Sequence, residues 1–384
     1  MNMGLLGILR SNPDQYYWAE ALGRSLGIPL VQVLRELKAL EDFGFELEQA
    51  PLRGIRYVAP PRRLCPDQIE WQLGTQTIGR RIEVWQRVTS TNDVAANAAH
   101  SGGNDGLVVM AEEQTAGRGR RHRRWYATPE SSILMSVLVF PPLHVRSASL
   151  LTCLAALAVV DVVISTSGLP ARIKWPNDVR VAGRKICGVL VEDLARRRTA
   201  ALPPNPLQDS RSGSPNSPPG KQPGLDVHDY TRATVIGLGL NVNVDPEEFP
   251  PEVRGLASSL MALCGRRLDR SDLAGSLIQR LDYYYQHALS GNSSLIWDQW
   301  SAVAELRRSR VCIHLDETRM VGTVVDLHPN TGIKLELHTG QTVQIDPEGI
   351  QAIEELTGEG PIDMPLGNRP NVAADRDRSA TRKF

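Results

Sequence analysis

The strand-like run Thr234–Asn243 contains Gly237-Leu238-Gly239-Leu240-Asn241, and Val242, Asn243, Val244 and Pro246 follow these residues. A dinucleotide-binding glycine motif requires a strand, a tight turn and then a helix. No helix can open at this point, so the Rossmann reading fails. Glycines inside a strand instead mark close approach by a ligand or by a neighbouring chain.

The surrounding pattern is that of a mixed sheet flanked by helices. Strand-like runs occur at Ile82–Arg87, Val108–Glu112, Ile133–Phe140, Arg172–Trp175, Val179–Val181 and Ile186–Glu192. Helical spacing is read at Asn92–His100, Ala148–Ser165 and Ser271–Leu289. Residues 196–232 break this order with seven prolines among Ser, Gly, Asn and Asp. Such a segment buries too little apolar surface to order itself. Its flanks, Ile186–Glu192 and Thr234–Asn241, read as paired strands, so the insert is expected to be an overgrown hairpin loop. Lengthening a loop from about 5 to about 40 residues costs only roughly 2 kcal/mol in closure entropy.

The two ends differ from this centre. Leu5, Leu6 and Leu9 suggest one helix, Tyr17–Leu26 a second closed by Gly27, and Pro29 opens a third carrying Leu30, Val33, Leu34, Leu37 and Leu40. Phe45–Leu47 and Ile55–Val58 can pair around Pro51–Gly54, which completes the outline of a winged helix-turn-helix over residues 1–62. Residues 61–77 read as a linker with a mixed helix. Short runs at Val311–Leu315, Met320–Asp326, Ile333–Leu337, Thr342–Ile345 and Ile350–Ile353, separated by turn residues, predict a small all-β barrel within 306–356. The Pro-, Gly- and charge-rich stretch 357–384 is expected to be a disordered tail.

Composition narrows the function. With 43 Lys+Arg against 43 Asp+Glu, no whole-protein field draws nucleic acid or an anionic membrane. Cys65, Cys153, Cys187, Cys264 and Cys312 are odd in number and never spaced C-x-x-C, which argues against a disulfide framework and for a reducing cytoplasm. No secretory leader is visible at Met1–Arg10, and Leu150–Ile164 falls short of the ~20 residues a membrane span needs. The stretch therefore reads as a buried helix in a protein with no membrane partner.

Four motifs carry chemistry. In Gln114-Thr115-Ala116-Gly117-Arg118-Gly119-Arg120-Arg121-His122-Arg123-Arg124-Trp125, glycine permits close backbone approach and arginine offers forked donors suited to phosphate. A basic nucleic-acid patch or a solvated loop would share that composition. Lys174-Trp175-Pro176-Asn177-Asp178, with Arg184-Lys185, supplies point charges and a carboxylate suited to Mg²⁺. The strand glycines with Asn241 are the third. Ser90-Thr91-Asn92 before a helical run is the fourth, an N-cap and also a ready anion site.

In this order, with Gly-x-Leu-Val-Glu after Arg-Lys, these motifs resemble the biotin–protein ligase family, in particular the BirA type with an N-terminal winged helix. The resemblance covers about residues 5–355. It implies an α+β architecture: a class II synthetase-like mixed-sheet catalytic domain at 78–305 and an SH3-like C-terminal barrel at 306–356. The implied activity joins biotin to AMP with ATP, then passes biotin to a lysine of a biotin carboxyl carrier domain. By motif, Ser90, Thr91, Asn92 and Gln114 would line the biotin pocket, and Arg118, Gly119 and Arg120 would close over biotin and the adenylate phosphate. Lys185 would join Arg118 and Arg120 as catalytic, Lys174, Asn177 and Asn241 would support ATP, and Asp178 would carry Mg²⁺. Three departures are His122, where the family often has glycine, the insert at 196–232 in place of a tight connection, and the absence of an aromatic in Leu256–Leu260, which leaves adenine stacking unassigned.

Family members with this N-terminal unit can repress biotin-synthesis genes and can dimerise, so DNA binding and a homodimer are implied too. The residues weigh against DNA: residues 1–60 hold six Lys/Arg and seven Asp/Glu. DNA affinity depends on neutralising phosphates, which favours a structural or regulatory module. Two competing readings are a lipoate–protein ligase on the same fold and a biotin sensor without turnover. Intact Arg118, Arg120 and Lys185 oppose the sensor.

Overall fold

A computed structural model describes residues 1–100, 104–194, 233–315, 318–328 and 331–356. The insert at 196–232 and the tail at 357–384 lie outside the described residues.

Helices α1 (Met3–Ser11), α2 (Ala19–Leu26) and α3 (Leu30–Phe43) pack on a hairpin of β1 (Glu46–Ala50) and β2 (Gly54–Ala59). Leu5, Leu9, Leu22, Val33, Leu37, Leu40 and Phe45 form their common core. Gly27 and Gly44, at φ 67° and 111°, end α2 and α3 in the left-handed conformation that glycine tolerates. Tyr17, expected in the second helix, is instead extended and exchanges two 2.8 Å backbone hydrogen bonds with Ile55. Pairing with a distant strand satisfies both its backbone groups, which outweighs the local helical pattern.

After the short helix α4 (Pro66–Glu70) comes the central sheet. Its strands are β3 (Arg81–Val88), β4 (Leu107–Gln114), β5 (Ser132–Val139), β6 (Arg172–Lys174), β7 (Asp178–Val181), β8 (Arg184–Asp193) and β9 (Thr234–Asn241). The order is β3-β4-β5-β9-β8-β7-β6; β3 and β4 are parallel and the other neighbours antiparallel. The flanks of the insert do pair: β8 and β9 run in register from Cys187 opposite Leu240 to Asp193 opposite Thr234.

One face of this sheet is covered by α6 (Ala148–Ser167), α8 (Arg270–Leu289) and α9 (Ser293–Val303), with α7 (Leu260–Cys264) beside them. Helix α6 is longer than its apolar core suggested and, by length and composition, could cross a membrane. Here most of its side chains are buried against the sheet and α8, because an all-apolar helix finds the same shelter inside a protein. Sequence periodicity missed α9, whose Ile296 and Trp300 are fully buried. The other face receives α5 (Thr91–Ala98), which packs Val94 and Ala95 on Val109, Ala111 and Leu138. Strand alternation sends Ile236, Leu238 and Leu240 of β9 toward α6, so Gly237 and Gly239 face the α5 side. The strand's bare backbone is therefore turned toward α5.

The C-terminal strands β10 (Arg310–His314), β11 (Arg319–His328), β12 (Gly332–Glu336), β13 (Thr342–Ile345) and β14 (Ala352–Glu355) form an antiparallel sheet, ordered β13-β12-β11-β10-β14. The last strand begins two residues later than expected, because a 3₁₀ turn over Pro347–Gly349 precedes it and Ile350 packs inward. Val311, Ile313, Val324 and Ile333 join the same apolar cluster as the central sheet.

Candidate active site

The N-terminus of α5 meets the ends of β4, β5 and β8 in a buried polar cluster. Ser90 occupies the N-cap position of α5 but makes no capping bond with its side chain. Gln114 Oε1, from the end of β4, instead accepts from the Thr91 backbone N–H at 2.7 Å and lies 3.0 Å from Thr91 Oγ1. The cap is thus supplied across the sheet, and the Ser90 hydroxyl is spared for the cavity it lines. Ser136 Oγ sits 2.5 Å from Asn92 Oδ1 and 2.7 Å from Thr91 Oγ1, and Asn92 Nδ2 donates to Glu192 Oε2 at 2.6 Å. Gly237 is needed beneath this cluster, because a Cβ there would overlap the Asn92 amide.

From this polar end a cavity of about 610 Å³ extends along the sheet. The Gly-Arg loop roofs it as a small hairpin, with Arg118 bridged to Arg124 and Trp125 N–H donating to Gly117 O at 2.9 Å. The loop delivers the Trp125 indole onto the glycines of β8 and β9: a Cβ on Gly239 would overlap the ring, and one on Gly188 would come within 3.1 Å. The sequence motif ends on this tryptophan, but its place against the strand glycines was not expected; in this structure the close approach comes from the chain itself. Gly239→Ala is expected to displace Trp125 and lower stability by about 1–3 kcal/mol, as overpacking does. Denaturation midpoints and tryptophan emission check it: an unchanged emission spectrum with unchanged stability would mean that the cradle has slack.

The arginines of the loop divide into different tasks. Arg118 donates to both Asp93 oxygens, at 2.7 and 2.9 Å, and to Glu192 at 3.3 Å. Its guanidinium is taken up by two carboxylates, so it anchors the base of the loop in this structure and is not aimed at a phosphate. Arg121, at φ 55°, lies on the cavity wall and donates to the carbonyls of Ile350 and Gln351 at 2.6 Å each, tying the loop to the C-terminal segment. Arg120 lines the cavity and reaches Asn177 Oδ1 at 3.3 Å, and Asn177 Nδ2 holds the Val189 carbonyl at 2.8 Å. Gly119, expected over the ligand, closes the hairpin by donating its N–H to Arg123 O at 2.7 Å.

Further along, Lys185 Nζ lies 2.6 Å from Asp178 Oδ1 and 5.4 Å from the Trp125 ring centroid. Lys174, at the edge of the sheet, is buried, which lowers its ammonium pKa to about 8; Arg180 pushes it the same way, and Asp178, Glu355 and Glu305 oppose. Asn241 does not reach the open cavity as a free donor; its Nδ2 holds Ser258 O at 3.1 Å and so positions the segment 256–258. That segment hydrogen-bonds Lys185 as a short bridge, with Leu256 on the cavity rim. Phe249, Val253 and Tyr126 add an apolar wall there, so the aromatics missing from Leu256–Leu260 come from elsewhere in the chain.

Eight cationic side chains line the cavity with one carboxylate, Asp178, among the described residues. A lone carboxylate already paired with Lys185 cannot cage a bare ion. It suits Mg²⁺ that arrives on a polyphosphate, whose oxygens supply most of the ligands.

Residues 84–202 match the model of the Biotin/lipoate A/B protein ligase family. The chain is 34% identical over 230 residues to the biotin–[acetyl-CoA-carboxylase] ligase of Mycobacterium tuberculosis, covering 57% of this chain and 71% of that protein. It is 26% identical over 300 residues to the bifunctional ligase/repressor BirA of Bacillus subtilis, covering 77% and 83%. Among solved structures, the biotin protein ligase from Aquifex aeolicus in complex with biotin and ATP shares the fold, with a TM-score of 0.55 at 20% identity over 72% of this chain and all of that one. The chain belongs to the biotin protein ligase family, of the BirA type.

Proposed function

We infer that the protein activates biotin with ATP to biotinyl-5'-AMP and transfers biotin to a lysine of a biotin carboxyl carrier domain. The observation that carries this is one cavity with two unlike ends. Ser90, Thr91, Asn92 and Gln114 make the first end rich in uncharged hydrogen-bonding groups, while Lys174, Lys185, Arg120 and Arg123 make the second cationic. A cyclic urea matches the first end and a carboxylate meeting a triphosphate matches the second. The dithiolane of lipoate offers the first end neither N–H nor C=O.

In the first step an oxygen of the biotin carboxylate bonds to the α-phosphorus of ATP, and the bond to the β-phosphate oxygen breaks to release pyrophosphate. Two anions must approach, so fixed cations are needed where negative charge gathers; Lys185 and Arg120 are placed for this. Mg²⁺ would be held by the nucleotide with Asp178 and would offset charge on the leaving pyrophosphate. In the second step the neutral amine of the acceptor lysine attacks the mixed anhydride, forming an amide and releasing AMP. The Gly-Arg loop, pinned at Arg118 and Arg121, keeps water from the anhydride meanwhile.

The depressed Lys174 gives this reading a pH signature. If its charge supports ATP, adenylate formation falls as pH rises through about 8, and Lys174→Met removes that limb. Stability moves the other way. The folded lysine binds fewer protons than the unfolded one, with its ordinary pKa of ~10.4, so folding is favoured further as pH rises from about 8 toward that value. Rates and unfolding midpoints between neutral and alkaline pH test both signs.

The three helices and hairpin of residues 1–62 are read as a winged helix-turn-helix and the C-terminal sheet as an SH3-like unit. Helix α3 presents Leu30, Val31 and Leu34 to solvent, with Trp18 also exposed. An apolar face there does not favour DNA, so repression and dimerisation are not needed by the reading. The five cysteines are free thiols, which suits a cytoplasmic setting. The deciding assay offers a biotin carboxyl carrier domain, ATP and Mg²⁺ with biotin or lipoate. Transfer of biotin alone is expected; transfer of lipoate, or none with biotin still bound, would replace this reading by the ligase or sensor alternative.

A further inference from the structure

We propose that Glu192 sets the hydrogen-bond polarity of the cavity's polar end, and thereby selects a cyclic urea as the head group of the ligand. The proposal rests on the biotin reading above and deepens it by adding a specificity-determining residue outside the ligand-lining set. An ionised carboxylate can only accept hydrogen bonds. Glu192 Oε2 therefore obliges Asn92 to present its amide nitrogen, at 2.6 Å, and to turn its oxygen toward Ser136. Ser136 has one hydroxyl hydrogen, and the 2.5 Å contact with Asn92 Oδ1 claims it.

The consequence reaches the cavity surface. With the Ser136 hydrogen committed, the hydrogen of Thr91 lies inside the cluster, between Ser136 Oγ at 2.7 Å and Gln114 Oε1 at 3.0 Å. Thr91 Oγ1 thus meets a ligand as an acceptor. Gln114 Oε1 already accepts the Thr91 backbone N–H at 2.7 Å, so its Nε2 meets the ligand as a donor. One acceptor beside one donor is the complement of a urea, whose N–H groups flank a C=O. Were Asn92 reversed, its nitrogen would face Ser136, the Ser136 hydrogen would turn to Thr91, and the acceptor would be weakened. Gly237 leaves the amide no room to shift instead, since a Cβ there would already overlap it.

Glu192 has a second contact that fits the same role. Its Oε2 also accepts from Arg118 Nη2 at 3.3 Å, so one carboxylate joins the start of α5 to the base of the Gly-Arg loop. Asp93 holds Arg118 independently through two bonds, at 2.7 and 2.9 Å, so the loop keeps its anchor when Glu192 is changed. That separation lets polarity be tested apart from anchoring.

The test compares wild type, Glu192→Gln and Glu192→Asp, measuring KM for biotin and for ATP, kcat and thermal midpoint. Glu192→Gln is nearly isosteric but can offer either sign to Asn92. Its biotin KM is expected to rise about 10-fold or more, the scale of a charge-assisted hydrogen bond, while the ATP KM stays at the wild-type value. Glu192→Asp keeps an acceptor-only group one methylene shorter, and its biotin KM is expected to lie nearer the wild-type value than that of Glu192→Gln. A wild-type biotin KM in Glu192→Gln, an equal rise in both KM values, or a biotin KM in Glu192→Asp as high as in Glu192→Gln overturns the proposal. If Glu192→Gln does not fold, Glu192→Asp decides: a biotin KM raised as much as its ATP KM overturns the proposal. Absence of biotin transfer by the wild type overturns the biotin reading itself.

Discussion

Lys185→Ala is expected to slow adenylate formation about 10- to 150-fold, the range that corresponds to the loss of one charge-assisted contact of roughly 1.5–3 kcal/mol. Lys185 is the second residue of β8, and its Nζ stands at the cationic end of the cavity, 2.6 Å from Asp178 and over the Trp125 ring. Its removal acts twice. The carboxylate and phosphate lose a cation between them, and Asp178 is left unpaired to repel both. Lys185→Arg keeps the charge but changes a compact ammonium into a planar fork, so partial recovery is expected. With its side chain 30% exposed, Lys185 carries little of the fold, and the thermal midpoint should hardly move. Pyrophosphate release without acceptor reads the first step alone. Unchanged release would remove Lys185 from the mechanism, and an equal fall in stability would assign it to the fold.

The largest effect on stability is expected at a residue that no motif contains. Arg270, near the start of α8, forms an ion pair of 2.7 Å with Glu112 of β4, and both side chains are almost wholly buried. The guanidinium also holds the carbonyls of Ser132 and Arg62, and Glu112 accepts from the Leu64 N–H at 2.5 Å. One pair thus joins the linker, two central strands and a long helix. Replacing Arg270 alone by methionine leaves a buried carboxylate without its cation, which costs about 3–5 kcal/mol. In a domain of this size that lowers the thermal midpoint by roughly 10 °C. Changing both partners, Arg270→Met with Glu112→Leu, removes the stranded charge, and much of the loss is expected to return. Denaturant titration of the two single variants and the double variant measures the coupling. Additive losses would mean that each residue acts through its separate backbone contacts.

These two residues mark the limits of what the amino-acid pattern tells. Lys185 was legible because it sits in a short run, Arg184-Lys185, downstream of Lys174-Trp175-Pro176-Asn177-Asp178. Arg270 was not, because Glu112 lies 158 residues away and nothing local distinguishes either side chain. The Gly-Arg loop shows both cases at once. Its composition suggested an anion site, yet the family resemblance implied one shared task for Arg118 and Arg120. In space all three line the cavity, but Arg118 is held by Asp93 and Glu192, Arg121 by the carbonyls of Ile350 and Gln351, and Arg120 reaches across to Asn177.

By itself the sequence determined what depends on near neighbours. That includes the helices closed by Gly27 and Gly44, the strand that keeps Gly237 and Gly239 bare, the pairing of the strands that flank the insert, and the order of the motifs. Each follows from backbone preference or from side-chain period over a few residues. Tertiary structure alone decided which charges meet ligand and which meet one another, that Trp125 fills the glycine cradle, and that Glu192 stands behind Asn92. Those outcomes depend on distances between segments far apart in the chain, and a charge acts within a few ångströms of its partner whatever the sequence separation.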